Sequence, residues 1–191
     1  MSKLIGTKTE KNLLKSFAGE SQARNRYEMF AKVARKEGYE QIAAIFEKTA
    51  AQEKEHAKRF FKFLEGGNVE ITATYPAGKV GTTAENLKAA ADGEHEEWKD
   101  VYPEFAEIAK GEGFDEICSA FKMISKAEEV HEKRYRKLLE NIEKSQVFAK
   151  STSVKWYCRN CGYELEGNHA PEKCPACLHP QSYFQLSHDN Y

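Results

Sequence analysis

Four segments of the chain repeat apolar residues at the spacing of an α-helix, which predicts four amphipathic helices. Short Glu-Gly turns at 37–38 and 112–113 predict two antiparallel helical hairpins. Gly66-Gly67 is expected to end the second helix, and about 16 residues, including Tyr75-Pro76, then separate it from the third helix and are enough to cross the length of a bundle. Pro103 lies inside the third stripe, where it predicts a kink or a short break. The pattern therefore predicts a mainly α four-helix bundle with a long crossover between helices two and three.

Carboxylates and histidines interrupt all four apolar stripes on the side that faces the predicted core. An ionised carboxylate in a core costs several kcal/mol unless it is paired or binds a metal. No lysine or arginine lies on the same stripes, so a cluster of metal cations is the economical explanation. The residues concerned are Glu20, Glu53, His56, Glu94, Glu97, Glu128 and His131.

The second and fourth helices carry an internal repeat. Residues 37–60 align with residues 112–135 at an offset of 75 without a gap, and eight of the 24 positions are identical. The chain therefore looks like a duplicated helical hairpin. The repeat matches two Glu-x-x-His pairs, Glu53 with His56 and Glu128 with His131.

The first and third helices follow the repeat with a shift of one residue. The offset of 75 carries Glu20 to His95 rather than to Glu94, so an insertion or deletion must lie between the two blocks. Heptad spacing from Leu87 to Val101 favours Glu94 as the inward residue and predicts that His95 faces outward.

One glutamate from each of two helices and a Glu-x-x-His pair from each of the other two form the recurring ligand set of di-iron and di-manganese bundles. Oxygen-rich ligation with one imidazole per metal favours Fe or Mn over Zn or Cu, and we expect iron. Glu97 follows Glu94 by three residues and is interpreted as a fifth carboxylate ligand, the alternative being a half-exposed acid near the cluster. Tyr27 and Tyr102 are either phenols that hydrogen-bond near the cluster or ordinary core aromatics.

The helical pattern stops near Ser151, and the remaining segment contains two Cys-x-x-Cys pairs with 12 residues between them. A segment of roughly 40 residues cannot bury enough apolar surface to fold alone, so we expect a tetrathiolate metal to hold it together. Four thiolates accept zinc or iron, and spacing alone favours a structural zinc ribbon. The predicted division is a bundle over residues 1–149 and a four-cysteine domain over residues 150–191. The cysteines are Cys158, Cys161, Cys174 and Cys177.

Composition narrows the classes of partner. The chain has 29 basic and 30 acidic residues and a formal net charge of -1, which creates no field that attracts nucleic acid or a membrane surface. No signal peptide and no spanning run of about 18 apolar residues is evident, so we expect a soluble, cytoplasmic protein. Cysteines in such a reducing compartment favour a metal over disulfides. Cys118 stands apart and is interpreted as a small buried apolar residue.

The segment Cys-x-x-Cys-Gly-Tyr followed by Cys-Pro-x-Cys is similar to the iron-binding knuckles of rubredoxin. Together with the duplicated Glu-x-x-His bundle it resembles the rubrerythrin family over essentially the whole chain. The resemblance implies a ferritin-like bundle with two irons on the seven bundle residues named above, and one iron on the four cysteines. One departure is Leu178 after Cys177, where rubredoxins usually have glycine, and we expect it to weaken backbone hydrogen bonding to sulfur in the second knuckle.

Rubrerythrins act as peroxidases that reduce hydrogen peroxide to water, and the resemblance implies this activity, a role in protection against oxidative stress, and a homodimer. Ferric iron gains more than ferrous iron from an anionic ligand. We therefore hypothesise that His56 ligates the reduced cluster and Glu97 the oxidised one, a switch that the resemblance also implies. The chain lacks a Gly-x-Gly-x-x-Gly motif, so electrons are expected from NAD(P)H through a separate reductase, or from an external donor such as rubredoxin.

Two other classes of function use parts of the same pattern. A ferroxidase or iron-storage protein would need the bundle but would leave the cysteine module unexplained. A zinc-ribbon binding protein would carry zinc at the cysteines and an inert metal in the bundle. The colour of the oxidised protein separates them, since ferric tetrathiolate is red and zinc is colourless.

Overall fold

The computed structural model describes residues 3–187, which form a helical bundle followed by a small β-sheet. The helices are α1 (Lys8–Lys36), α2 (Glu40–Phe61), α3 (Thr83–Glu96), a π-helix (Glu97–Val101), α4 (Tyr102–Gly111) and α5 (Asp115–Glu143). The sheet contains β1 (Ala149–Cys158), β2 (Glu164–His169) and β3 (Phe184–Leu186), and a 3-10 helix covers Gln181–Tyr183. The predicted mainly α bundle with a long crossover is confirmed. No helix within residues 3–187 is long and apolar enough to cross a membrane.

Each hairpin turn caps the first helix of the other hairpin. The Glu37 carboxylate accepts a hydrogen bond of 3.0 Å from the backbone N–H of Thr83, at the start of α3. The Glu112 carboxylate accepts one of 2.8 Å from the backbone N–H of Thr9, at the start of α1. A carboxylate at a helix N-terminus satisfies a free N–H group and interacts favourably with the helix dipole. Because Glu37 and Glu112 are equivalent in the repeat, these two caps hold the hairpins together in a nearly symmetric way.

The irregularity predicted at Pro103 lies just before it. Residues Glu97–Val101 form a π-helix, and the backbone N–H of Tyr102 donates to the carbonyl of Glu97, five residues back. Pro103 is the second residue of α4, where the missing N–H of a proline costs little. The predicted short break in the helix is therefore present as the π-helix that immediately precedes the proline, and a regular helix resumes at Tyr102.

The π-helix also accounts for the shift of one residue in the repeat. Glu20 and Glu94 are 74 residues apart, whereas Tyr27 and Tyr102 are 75 apart. A π-turn contains one residue more than an α-turn, so it absorbs a single insertion without interrupting the helix. The insertion inferred from the sequence thus lies between Glu94 and Tyr102, in the segment that contains Glu97.

The second helix ends at Phe61, earlier than the Gly66-Gly67 pair that was expected to end it. Phe63 and Leu64 leave the helix and pack against the apolar cluster at this end of the bundle. Burying these side chains accounts for the early end, because a continuing helix would carry them past the core. The crossover consequently runs over residues 62–82.

The bundle core has two apolar clusters, with the predicted ligands between them. One cluster includes Tyr27, Phe46 and Tyr135, and the other includes Phe60 and Phe121. Along each helix the predicted ligands lie between residues of the first cluster and residues of the second. The polar layer is therefore closed from both ends by close-packed side chains.

The C-terminal segment folds as a three-stranded antiparallel sheet in the order β2-β1-β3. Its own small core centres on Trp156, which is fully buried, with Phe184 and Ala170 around it. The ring of Phe148, just before β1, stacks on Tyr39 between α1 and α2 at a centroid distance of 6.1 Å. The sheet thus follows the bundle directly, with an aromatic contact at the junction.

Candidate metal centres

Six of the seven predicted bundle ligands meet in two groups in the polar layer. Within each group the potential ligand atoms lie within 4.8 Å of one another. Glu53 and Glu128 belong to both groups, so their carboxylates occupy the position expected of bridging ligands. The groups are Glu20, Glu53, His56 and Glu128, and Glu53, Glu94, Glu128 and His131.

The two imidazoles lie against the shared carboxylates. Nδ1 of His56 is 2.8 Å from Oε1 of Glu128 and 3.0 Å from Oε2 of Glu53. Nδ1 of His131 is 2.7 Å from Oε2 of Glu128 and 3.1 Å from Oε1 of Glu53. Each shared carboxylate therefore directs one oxygen toward each histidine, which is the arrangement that two neighbouring metals require.

Burial and mutual repulsion dominate the electrostatics of the site in the metal-free protein. Burial, followed by the charges of Glu128 and Glu53, raises the pKa of Glu20 well above its ordinary value. Burial and the charge of Glu53 raise the pKa of Glu94 to about 8. Burial alone would also raise the pKa of Glu53, but hydrogen bonds from His131 and His56 outweigh it and lower the pKa to about 2.

The pKa values of the two histidines are raised, whereas burial alone lowers the pKa of an imidazole. Burial opposes their charge, but hydrogen bonds to Glu128 and Glu53 raise the pKa of His56 to about 10 and that of His131 to about 12. Without a metal, both imidazoles are therefore protonated near neutral pH, and their two charges are the main positive charge among the clustered carboxylates. A metal pair would replace them with four positive charges and deprotonated ligands.

Unpaired oxygens show that the residues present fit such a metal pair. Oε2 of Glu20 and Oε2 of Glu94 are buried and have no hydrogen-bond donor among the described residues. A buried carboxylate oxygen without a partner is costly. Oxygen-rich ligation by four carboxylates with two imidazoles suits iron, and cations at the two groups would satisfy these atoms.

Glu97 lies outside both groups of clustered ligands. It is the first residue of the π-helix and its side chain is partly buried. Burial and the neighbouring Glu94 raise the pKa of Glu97 well above its ordinary value. The structure thus places a fifth carboxylate at the edge of the site, without bringing it together with the other six residues.

Two phenols lie against the carboxylates that are not shared. The Tyr27 hydroxyl donates to Oε1 of Glu94 and the Tyr102 hydroxyl donates to Oε1 of Glu20, both at 2.5 Å. All four residues are buried. Each phenol therefore fixes the orientation of one predicted terminal ligand.

Sequence reasoning missed Gln52. Its Oε1 lies 3.2 Å from Nε2 of His131, the ring nitrogen that faces away from the carboxylates. An N–H···O contact of this kind would orient the imidazole and fix its tautomer. The only signal in the sequence was the position of Gln52 next to Glu53, which is too common to predict a contact with another helix.

Glu94 and His95 point in different directions. Glu94 is 1% exposed, whereas the His95 side chain is 37% exposed and lies 3.0 Å from the carboxylate of Glu132, a buried residue of α5. Glu132 also accepts a hydrogen bond from the indole of Trp98 on the π-helix. His95 thus takes part in a network with Glu132 and Trp98 rather than in the metal layer.

The four cysteines at the end of the chain converge on one point. The Sγ atoms of Cys158 and Cys177 are 3.8 Å apart, and those of Cys161 and Cys174 are 3.6 Å apart. These distances exclude disulfides, whose S–S bond is about 2.05 Å, and are typical of a tetrahedral thiolate site. Cys118 is buried in the bundle, away from this group.

The two cysteine knuckles have matching backbones although one contains Leu178 in place of glycine. The N–H of Gly162 donates to the carbonyl of Cys158, and the N–H of Leu178 donates to that of Cys174, both at 2.9 Å. Leu178 reaches this conformation with a φ of +62°, close to the +78° of Gly162.

The predicted weakening of backbone hydrogen bonding to sulfur in the second knuckle stays a prediction. One backbone donor is present, because hydrogen bonding from the N–H of His179 lowers the pKa of the Cys177 thiol to about 6. Leu178 also brings a strained backbone, because a side chain disfavours positive φ.

Comparisons with known proteins agree with both halves of this description. The Rubrerythrin family model matches residues 11–139, and the model named Rubrerythrin, rubredoxin-like domain matches residues 156–185. The chain is 60% identical to rubrerythrin of Porphyromonas gingivalis, covering 100% of this chain and 96% of that protein. It is 55% identical to rubrerythrin of Nitratidesulfovibrio vulgaris, covering 97% of each.

Solved structures give the same result for the fold. The fully reduced, all-ferrous state of nigerythrin matches with a TM-score of 0.65 and 34% identity, covering 96% of this chain and 91% of that one. A bacterioferritin of Desulfovibrio desulfuricans matches with a TM-score of 0.62 and 25% identity, covering 73% of this chain and 82% of that one. The bundle is therefore ferritin-like, and the terminal module is rubredoxin-like.

Proposed function

The chain belongs to the rubrerythrin family, and on that premise we propose that it is an iron-dependent peroxidase that reduces hydrogen peroxide to water. The family carries iron and supports an oxidoreductase role. The observation that carries the finer proposal is the pair of buried ligand groups that share Glu53 and Glu128. Two metals held side by side suit a two-electron reaction at one O–O bond.

Seven bundle residues are assigned as iron ligands in this proposal. Glu53 and Glu128 would be shared by both metals, Glu20, Glu94 and His131 would each hold one metal, and His56 and Glu97 would alternate at one position. Two ferrous ions held there would supply the two electrons that reduce one O–O bond. The phenols of Tyr27 and Tyr102 hold Glu94 and Glu20 in place by hydrogen bonds, so these carboxylates need not reorient during turnover.

We assign the changeable position to His56 in the reduced protein and to Glu97 in the oxidised protein. His56 is the more accessible of the two clustered histidines, with 17% of its side chain exposed against 3% for His131. Glu97 already lies at the edge of the ligand groups and has no bond to them. An anionic oxygen stabilises ferric iron more than a neutral imidazole does, so exchange of these two ligands would favour the product state.

The cysteine site is assigned to electron delivery. Four thiolates around one iron suit single-electron transfer, and two such transfers would restore the reduced bundle site. NAD(P)H would provide the electrons through a separate reductase or a rubredoxin, since the chain has no dinucleotide-binding motif. We further propose a homodimer that acts in the cytoplasm against oxidative stress, with the bundle over residues 1–149 and the electron-transfer domain over residues 150–191.

A coupled assay tests this function. Protein loaded with iron is supplied with NADH and a rubredoxin reductase under anaerobic conditions, and the consumption of hydrogen peroxide is followed. We expect one NADH to be oxidised for each peroxide consumed. Protein with zinc in the bundle and iron at the cysteines is the control, and peroxide consumption at an equal rate in that protein would disprove the proposal.

A further inference from the structure

A cavity of about 350 Å³ lies between α1, the π-helix and the crossover. Its buried wall includes Tyr27 and Tyr102, the phenols that donate hydrogen bonds to Glu94 and Glu20 in the ligand layer. Glu97 also lines it. The cavity therefore leads from the surface to the edge of the candidate metal site.

The cavity is much larger than hydrogen peroxide needs. A cavity of about 10–15 Å³ holds one water molecule, and hydrogen peroxide is only slightly larger. The observed volume falls in the range of about 300–1,000 Å³ that is typical of pockets for small organic molecules. Much of the wall is carbon, including Ala23, Val101 and Phe105, and such a wall favours an apolar group.

Gly19 on α1 lines the cavity between the crossover and Glu97. A Cβ atom at this position would be 3.6 Å from Cε1 of Tyr75 and 4.0 Å from Oε1 of Glu97. Tyr75 comes from the crossover, and its hydroxyl is held by a hydrogen bond of 2.6 Å to the carbonyl of Lys15. A methyl group at residue 19 would therefore fit in contact with both the Tyr75 ring and the Glu97 carboxyl, and would occupy cavity space beside them.

We propose that this cavity binds organic hydroperoxides that carry one apolar group, and that Gly19 sets the size of group that reaches Glu97. The inference rests on the proposed peroxidase function and extends its substrate class. The O–O bond of ROOH breaks with two electrons from the ferrous pair and two protons from solvent, and the products are ROH and water. The apolar group would lie along the carbon wall with its hydroperoxide directed to the metal site.

Gly19→Ala tests the assignment by kinetics. Alanine is compatible with the helix interior, so the variant should fold, and Gly111→Ala adds the same methyl group to α4 in open space as a control. Fully reduced protein is mixed anaerobically with cumene hydroperoxide or with hydrogen peroxide. We expect Gly19→Ala to lower the ratio of the two rate constants, cumene hydroperoxide over hydrogen peroxide, by about tenfold, as one methyl group does in a close-fitting pocket. Gly111→Ala should leave the ratio unchanged.

Binding of the product alcohol gives a readout that is independent of turnover. Isothermal titration of the oxidised holoprotein with 2-phenylpropan-2-ol should show binding that Gly19→Ala weakens about tenfold and Gly111→Ala does not. Gly19-dependent binding supports the site even if hydrogen peroxide leaves the irons reduced, and in that case only the peroxidase proposal is wrong. Absence of alcohol binding, or a rate ratio that Gly19→Ala does not change, would overturn the inference.

Discussion

The hydroxyl of Tyr102 donates a hydrogen bond of 2.5 Å to Glu20, which lies on the other helical hairpin. Tyr27, its equivalent in the 75-residue repeat, makes the corresponding bond to Glu94. Each half of the duplicated bundle thus orients a predicted ligand of the other half. The two hydrogen bonds remain equivalent despite the inserted residue between Glu94 and Tyr102, because the π-helix accommodates that residue within the helix.

Removing either phenol hydroxyl should leave a buried carboxylate oxygen without its donor. We expect Tyr102→Phe and Tyr27→Phe each to lower the free energy of unfolding of the metal-free protein by about 1–3 kcal/mol. Urea denaturation, monitored by circular dichroism, measures this free energy of unfolding. Tyr163→Phe, on the surface of the C-terminal module, is the control and should have little effect. Equal stability of all three variants and the original protein would show that the two bonds do not matter.

The ligand exchange predicts opposite defects at its two residues. Glu97→Ala should retain both bundle irons when reduced but react slowly or lose iron after oxidation, because ferric iron lacks its anionic ligand. His56→Ala should weaken iron binding mainly in the reduced state. Iron analysis of each variant after reduction and after oxidation is the measurement.

Neighbouring residues outside the ligand groups provide matched controls for the exchange. Glu96→Ala and His95→Ala should keep both irons in both redox states. Structures of the reduced and oxidised protein in which His56 and Glu97 have unchanged coordination would refute the exchange, even if the peroxidase activity is intact.

The division into two units predicts a local effect of losing a thiolate. Cys158→Ser or Cys174→Ser should remove the red colour of the oxidised protein and unfold the C-terminal sheet, because the metal contributes the folding energy of such a small module. The helical signal in the far ultraviolet should remain. Cys118 is buried in the bundle, and the Cys118→Ala variant is the control, which should keep the red colour. Loss of most helical signal in the serine variants would contradict the division.

The metal-free protein should lose stability as the pH rises. Burial, with the charge of Glu53, raises the pKa of Glu94 to about 8 from an ordinary 4.5. Burial lowers the pKa of His56, but hydrogen bonds to Glu128 and Glu53 outweigh burial and raise this pKa to about 10 from 6.5. The folded state therefore binds more protons than the unfolded state, and this stability is lost as pH rises toward the folded-state values.

Glu53 has the opposite effect on stability, and this effect changes only at acidic pH. Burial alone would raise the pKa of Glu53, but hydrogen bonds from the two histidines outweigh burial and lower this pKa to about 2. The contribution of Glu53 to stability is therefore present above its ordinary pKa of 4.5 and is lost as the pH falls toward 2. The melting temperature of the metal-free protein should thus fall between about pH 5 and pH 9. Iron-loaded protein, whose ligands are already deprotonated, is the comparison. A metal-free melting temperature that rises over this range would contradict the assignment.

Much of the bundle could be predicted because its signals repeat. The apolar stripes predicted four helical segments, and the matched Glu-x-x-His pairs pointed to one shared layer. Pro103 predicted an interruption near this point, but its π-helical form could not be predicted, since one inserted residue barely changes a helical pattern over a single turn. Gln52 was missed for another reason, because its contact with His131 depends on the distance between two helices that the sequence does not contain.

In the proposed function, the bundle irons reduce peroxide and the cysteine iron returns electrons to them. Anaerobic stopped-flow mixing of the fully reduced protein with one equivalent of hydrogen peroxide, and separately with oxygen, tests it most directly. We expect that peroxide oxidises the bundle irons first, that the red ferric thiolate absorption follows, and that oxygen reacts more slowly. Faster oxidation by oxygen than by peroxide, or a red colour that forms while the bundle irons are still ferrous, would contradict it.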